Sequence, residues 1–342
     1  MTDLPSGGLS TPEAPAAEPV VPPVRRRLHL TTQLSRFSVV GVWAVLAIVY
    51  GALKPGLFAT KGTFQAIFGS QEALVFLCMA LICTFVVGEF DLSVASILGL
   101  GATIVPVLVV LHGVGLWVAC VVSVLACTAV GALNGFIVVV LGIDPIVTTL
   151  GMGTLMLGIA LKIENLTAVS GLSNGFAMVS STPVLSLPIS FWYGTALTLV
   201  LAYVMAFTPL GRNMRFVGAN AEVARLAGIH VKRIRFGAFT VAGLLCGVGG
   251  VLLASAVGGY DASQSANYLL PAFSATFLGT AVIQPGRFNP IGSWVAVYFL
   301  VTGIVGLQLL GYTGWISQVF YGAALVLSVT ISTLVRRRTR HT

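Results

Sequence analysis

Ten long apolar runs dominate the sequence, near residues 37–53, 73–88, 94–111, 114–141, 146–161, 190–207, 236–257, 269–283, 291–310 and 315–335. A helix needs about 20 predominantly apolar residues to cross the hydrocarbon core of a bilayer. The runs are continuous and do not alternate, which argues against a membrane β-barrel. Only 8% of the residues are charged, against about 25% in an ordinary soluble domain, too few to coat a soluble globule. Glycine is abundant, with 39 residues, and suits helices that approach closely in lipid. The expected fold is therefore an all-α polytopic membrane protein with about ten transmembrane helices. The second, fifth and eighth runs are short and flanked by Gly or Pro, a pattern found around cavities.

The basic residues orient this bundle. Arg25, Arg26, Arg27 and Arg36 precede the first run. Arg212, Arg215, Arg225, Lys232, Arg233 and Arg235 lie between the sixth and seventh. Arg287 lies between the eighth and ninth, and Arg336, Arg337, Arg338 and Arg340 follow the last. With ten spans, fifteen of the eighteen basic residues share one side, leaving Lys54, Lys61 and Lys162 opposite. Cytoplasmic loops carry the excess of Lys and Arg, so both termini are expected in the cytoplasm. The net charge of +8 is a topological signal and not one for nucleic acid. Residues 1–34 form the first expected unit, a Pro-rich tail without the apolar core of a signal peptide. A transmembrane domain over 35–335 follows, then a basic tail over 336–342.

Two local patterns carry less weight. The five cysteines lie inside apolar runs without a C-x-x-C pair, which reads as small buried hydrophobes and neither a disulfide framework nor a zinc site. Gly171-Leu172-Ser173-Asn174-Gly175 matches G-x-S-x-G, but no preceding strand or following helix is expected there, so the strained nucleophile elbow lacks a scaffold. With His29 and His341 in the tails, His230 in a loop, His112 near the outer surface and no H-E-x-x-H, an intramembrane enzyme is not supported.

The loop over about 208–235 is unusual because it contains its own short helix. Asn220 is a good N-cap, Glu222 in the first turn suits the helix dipole, and Gly228 is placed to end the helix in a left-handed conformation. Some seven residues are too few for a stable helix alone in water. The small face formed by Ala221, Ala224 and Ala227, with Leu226, needs a surface: the membrane or a cytoplasmic partner, with the flanking arginines supplying orientation.

Four ordered stretches resemble the permease subunit of bacterial ABC importers of the ribose, arabinose, xylose and galactoside class, over roughly 37–335. Gly88-Glu89-Phe90-Asp91-Leu92-Ser93 is similar to that family's G-G-I-D-L-S. Leu133-Asn134-Gly135-Phe136 and Leu141-Gly142-Ile143-Asp144-Pro145 are similar to I-N-G-L and L-G-I-P-P. The segment from Gly218 to Arg233, with Asn220, Glu222, Ala224, Arg225 and Gly228, is similar to G-G-N-E-E-A-A-R-L-S-G-I-N-V-K-R. Leu278-Gly279-Thr280 with Gly286-Arg287 is loosely similar to I-G-G-T…G-G-R-G. The resemblance implies a type II ABC importer-like permease fold in the bacterial inner membrane. It further implies a homodimeric or paralogous dimeric pore, two cytoplasmic ATPase domains, an extracellular or periplasmic sugar-binding protein, and a coupling helix made by 220–228. No phosphate loop is present, so ATP and Mg belong to the partner ATPase and this chain is expected to bind no cofactor or metal. Glu89, Asp144 and the region 284–292 depart from the family pattern, so the solute does not follow from the resemblance.

Several residues remain open between structural and pathway roles. Asp91 ahead of Ser93, and Asp144 ahead of Pro145, fit helix-start positions, while proton or ion transfer through Glu89, Asp91 or Asp144 would make the chain a proton-coupled secondary transporter. Asn134 fits an interhelical hydrogen bond better than a pathway. Phe273 and Phe277 lie one turn apart and read either as core or as a wall met by apolar sugar faces. Gly243 and Gly247, with Gly249 and Gly250, give the seventh run a small face suited to packing within the subunit.

Overall fold

The computed structural model describes residues 28–340. It is built from α1 Leu28–Leu53, α2 Pro55–Phe58, α3 Lys61–Phe68, α4 Glu72–Val86, α5 Val94–Pro106, α6 Leu116–Gly135, α7 Pro145–Ile163 and α8 Asn174–Ser181. These are followed by α9 Ile189–Phe207, α10 Pro209–Ala219, α11 Ala221–Leu226, α12 Val231–Val257, α13 Leu269–Leu278, α14 Pro290–Leu309 and α15 Trp315–Arg340. The only strands among the described residues are two-residue pieces: Val169–Ser170 pairs antiparallel with Gly259–Tyr260, and Pro183–Val184 with Leu187–Pro188.

Helix α1 begins at Leu28, inside the unit expected as a tail over 1–34. The prolines end at Pro23, and nothing after them in this stretch denies a helix its N–H groups. Residues 1–27 lie outside the described residues. At the other end α15 carries helix through the basic cluster to Arg340, so most of the expected 336–342 tail is helical. Residues 341–342 lie outside the described residues.

Seven helical stretches among the described residues are long and apolar enough to cross a membrane: Lys61–Val86, Val94–Leu111, Leu116–Val140, Pro145–Ile163, Ile189–Phe207, Val231–Val257 and Pro290–Leu309. Two shorter apolar stretches, Val39–Leu53 and Trp315–Thr330, match the first and last expected spans. The eighth is different. Helix α13 has 10 residues, about 15 Å of rise, half the thickness of the hydrocarbon core. A 3₁₀ segment, Ala262–Tyr268, leads into it. The run over 269–283 is apolar enough to stay in the membrane interior, but Gly279 and Val282–Gly286 break the helix before it spans.

Helix α12 is the axis of the bundle, packed on α4, α5 and α6. Its glycines make this possible. A Cβ on Gly243 would stand 2.9 Å from the Gly131 Cα of α6, and one on Gly247 2.9 Å from the Cys127 Cβ. On neighbouring faces Gly249 meets Phe76 of α4, and Gly250 meets the backbone of Leu98 and Ala102 in α5. Lipid provides little hydrophobic drive between helices, so backbone approach of this kind supplies the dispersion contact that holds them. The small face of the seventh run thus packs within the chain. All five cysteines are buried and free.

The G-x-S-x-G segment differs from expectation. A short strand, Val169–Ser170, precedes it and α8 follows it. Ser173 is the N-cap of α8, its Oγ accepting from the Phe176 N–H at 3.3 Å, which accounts for a serine at this position.

Candidate coupling site

The loop between α9 and α12 folds into a helical hairpin. Thr208 caps α10 by accepting from the Gly211 N–H, and Pro209 occupies the first helical position. Arg215 reaches back, donating from Nη2 to the Met205 carbonyl at 2.6 Å and from Nε to the Gly211 carbonyl at 3.2 Å. These bonds fasten α10 to the end of α9. No helix was expected here, although Thr208 followed by Pro209 is a helix-start signature; Met214 and Val217 turn inward while Leu210 and Phe216 stay exposed.

Helix α11 then starts at Asn220, whose Oδ1 accepts from the N–H groups of Glu222 at 3.0 Å and Val223 at 3.1 Å. It ends in a Schellman motif. Gly228 sits at φ +80°, its N–H donates to the Arg225 carbonyl, and the Ile229 N–H donates to the Ala224 carbonyl, each at 3.0 Å. Glu222 and Arg225 form an exposed i,i+3 ion pair, a type of contact that adds little stability. Asn220→Ala is expected to destabilise the hairpin by about 1 kcal/mol. Faster amide hydrogen exchange confined to 221–226 would be the reading, and unchanged exchange there would refute the capping role.

One expectation about this helix is corrected. Ala224 is buried, in a helix packed on the chain's own α10 and α12. A helix of six residues held between α10 and α12 needs a small side chain where it meets them. The free face keeps Ala221, Ala227 and Leu226, the last 80% exposed, and adds Val223, 55% exposed. Gly218 also faces inward. A Cβ there would run into the Val86 carbonyl oxygen and stand 3.0 Å from the Val86 carbonyl carbon, at the end of α4. Gly88, at φ +88°, lies across from it.

A second tie joins the same two regions. Glu89, buried just after α4, accepts a hydrogen bond and ion pair from Arg235 Nε in the first turns of α12. The hairpin is thus fastened to the α4–α5 junction twice, by Gly218 near the end of α10 and by Arg235 in the first turns of α12 that follow it. The pair is 146 residues apart in sequence. The only hint in the chain was a carboxylate standing where the related motif has a small apolar residue, opposite a loop rich in arginine.

The junction itself is pinned to two further helices. Asp91 Oδ1 accepts from the Ser93 N–H at 2.9 Å and from the Ser93 hydroxyl at 2.5 Å. The Ser93 Oγ accepts from Asn134 Nδ2 of α6 at 2.8 Å. The Leu92 N–H donates to Thr149 Oγ1 of α7 at 3.0 Å. Asp91, Ser93 and Asn134 are fully enclosed by protein. Two of their acceptors, Asp91 Oδ2 and Asn134 Oδ1, are buried with no donor among the described residues. Asp91 therefore organises the turn before α5 through Ser93 and not through the first helical N–H groups. Asp144 is a true N-cap, accepting from Ile146 at 2.9 Å and Val147 at 3.1 Å ahead of α7.

Beside the junction opens a cavity of about 810 Å³ between the ends of α4 and α9, helix α10, the segment 283–291 and α15. Its wall is aromatic. Phe85 packs on Phe90, Phe273, Phe277 and Phe288 with ring centroids 5.0 to 5.5 Å apart. The two phenylalanines singled out in the sequence divide here: Phe277 lines the cavity, while Phe273 is core beneath it. Among the described residues no three His, Cys, Asp or Glu side chains group as metal ligands.

Apolar helices of spanning length round a glycine-lined axis, with a capped hairpin strapped to one end, define a multi-pass membrane protein. The chain belongs to the family described as the branched-chain amino acid transport system permease component, whose family model matches residues 63–329. It is similar to the L-arabinose ABC transporter permease protein AraH of Azospirillum brasilense, 28% identical over 96% of each chain. It is similar also to the autoinducer 2 import system permease protein LsrC of Photorhabdus laumondii, 27% identical over 89% of this chain and 88% of that one. The D-allose transport system permease protein AlsC of Escherichia coli is 26% identical over 86% of this chain and 91% of its own length. No solved structure matches the chain.

Proposed function

We propose that this chain is the membrane-spanning subunit of an ATP-driven importer that carries a monosaccharide or a related polyol across the bacterial inner membrane. The observation that carries the reading is the α10–α11 hairpin. A six-residue helix capped at both ends by side-chain and Schellman bonds presents Val223 and Leu226 to the outside. Exposed apolar side chains on so short a helix fit a groove in a partner better than open water. The partner is the ATPase, which holds ATP and Mg; two such domains and an extracellular or periplasmic sugar-binding protein complete the importer, around a dimer of this chain or of this chain with a paralogue. Both termini lie in the cytoplasm with the hairpin, as the basic residues of 212–235 and 336–340 support. The sugar class rests on relatives named for L-arabinose and D-allose.

Movement of α11 would pass to the spans through two rigid ties, Gly218 on Val86 and Arg235 on Glu89. Both end at the α4–α5 junction. The convergence of the two ties on that junction favours it as the element that rearranges between outward and inward states. A proton-driven mechanism has less support: Glu89 is held by Arg235, Asp91 is enclosed by protein and Asp144 is spent on a helix cap.

The test is the double change Val223→Asp and Leu226→Asp. Assembly with the cognate ATPase, measured by co-purification in detergent, is expected to weaken at least about tenfold, which corresponds to about 1.4 kcal/mol. The permease itself should keep its melting temperature, because both side chains are exposed. Full assembly and full substrate-stimulated ATPase activity in the double variant would refute α11 as the docking element. A ligand screen on the cognate binding protein tests the sugar class separately.

A further inference from the structure

The cavity beside the hairpin gathers positive charge at one place, more than membrane orientation alone requires. Arg212, Arg215 and Arg287 stand around it, and no lining residue is acidic. Among the described residues the two ion pairs are Arg225–Glu222 and Arg235–Glu89, so none of these three arginines meets a carboxylate. Arg215 spends Nε and Nη2 on backbone carbonyls, which hold its guanidinium in place at the cavity. Gln284, Asn289 and Thr333 add polar groups, and the rest of the wall is apolar, with Phe85, Phe277, Phe288 and Ala202 among its residues. Its mouth includes Ala206 of α9 and Val329 of α15, both exposed on apolar helices. Exposed residues of two apolar helices thus border the cavity, a setting in which a lipid could enter from the side.

We infer that this cavity binds an anionic phospholipid, its phosphoryl headgroup against Arg212, Arg215 and Arg287 and its upper acyl chain along the phenylalanine wall. Arginine is the side chain best suited to a phosphoryl oxygen pair, through its planar array of N–H donors. Basic pockets between membrane helices near the bilayer surface recognise such headgroups. A free phosphate ion would satisfy the arginines but leave the aromatic wall against water. A neutral sugar would do the reverse, meeting the rings and leaving three positive charges without a counter-ion. An anion that carries a hydrocarbon chain matches both halves.

The experiment uses the full chain in detergent, titrated with phosphatidylglycerol or phosphatidylcholine and read by native mass spectrometry. Wild type is expected to retain phosphatidylglycerol at least about tenfold better than phosphatidylcholine. Arg212→Gln with Arg287→Gln should remove that preference. Ala206→Trp, which fills the mouth and leaves every charge, should lower retention of phosphatidylglycerol about tenfold. An unchanged melting temperature shows that each variant is folded. Equal retention of the two lipids by wild type, or undiminished phosphatidylglycerol on either variant, would overturn the inference. Displacement by millimolar inorganic phosphate would assign the site to a free anion instead. Loss of the lipid when the cognate ATPase assembles would assign the arginines to the protein interface.

Discussion

Replacing Arg235 with Met is expected to destabilise the protein by about 3 kcal/mol, the lower end of the range for breaking a buried ion pair. Glu89 would be left enclosed and uncompensated, with 6% of its side chain exposed, while the 29% exposure of Arg235 keeps the effect from the upper end. Thermal unfolding in detergent reads the stability loss. The combined change Arg235→Met and Glu89→Leu separates two roles for the pair. Removing both charges removes the desolvation penalty, so stability should return close to wild type. Substrate-stimulated ATPase activity of the assembled importer should stay below wild type, because one of the two ties to the α4–α5 junction is gone and only Gly218 on Val86 remains. Recovery of both properties would mean that the pair is only structural.

Gly218→Ala is the second large effect. The added Cβ would occupy the position of the Val86 carbonyl oxygen, and a backbone atom cannot swing aside as a side-chain tip does. Either α10 lifts away from α4 or the end of α4 distorts, at a cost of about 1–3 kcal/mol. The expected phenotype is uncoupling: the ATPase still assembles on Val223 and Leu226, while stimulation by loaded binding protein falls. Gly228→Ala is the control. Gly228 sits at φ +80° but a Cβ there meets nothing within 4 Å, so only backbone strain of about 1 kcal/mol is imposed. Equal effects of the two substitutions on coupling would remove the argument for contact at Gly218.

How much of this was legible in the chain depends on how local each cause is. The capped helix over 221–226 follows from Asn220, Glu222 and Gly228, all within one segment. Asp144 before Pro145 likewise declares the start of α7, since the cap and its two N–H donors are three residues apart at most. The spans were visible as apolar runs, and so was the small face of α12. The run over 269–283 misled, because hydropathy marks what tolerates a membrane interior and not whether one helix continues through it; α13 stops after 10 residues. Ala224 misled in another way: a small side chain suits close approach, and only packing on α10 and α12 shows that the approach is to the chain itself.

The sequence by itself determined a helical membrane bundle, its basic face and a short capped helix between two spans, because hydropathy, charge asymmetry and capping act over neighbouring residues. The tertiary structure alone decided which groups meet across long separations. It brought Glu89 to Arg235, Gly218 to Val86, Asn134 to Ser93, and three arginines to one aromatic cavity. Such pairings depend on how α12 seats its glycines against α4, α5 and α6, and a backbone contact between distant helices leaves no periodicity in the chain from which to read its partner.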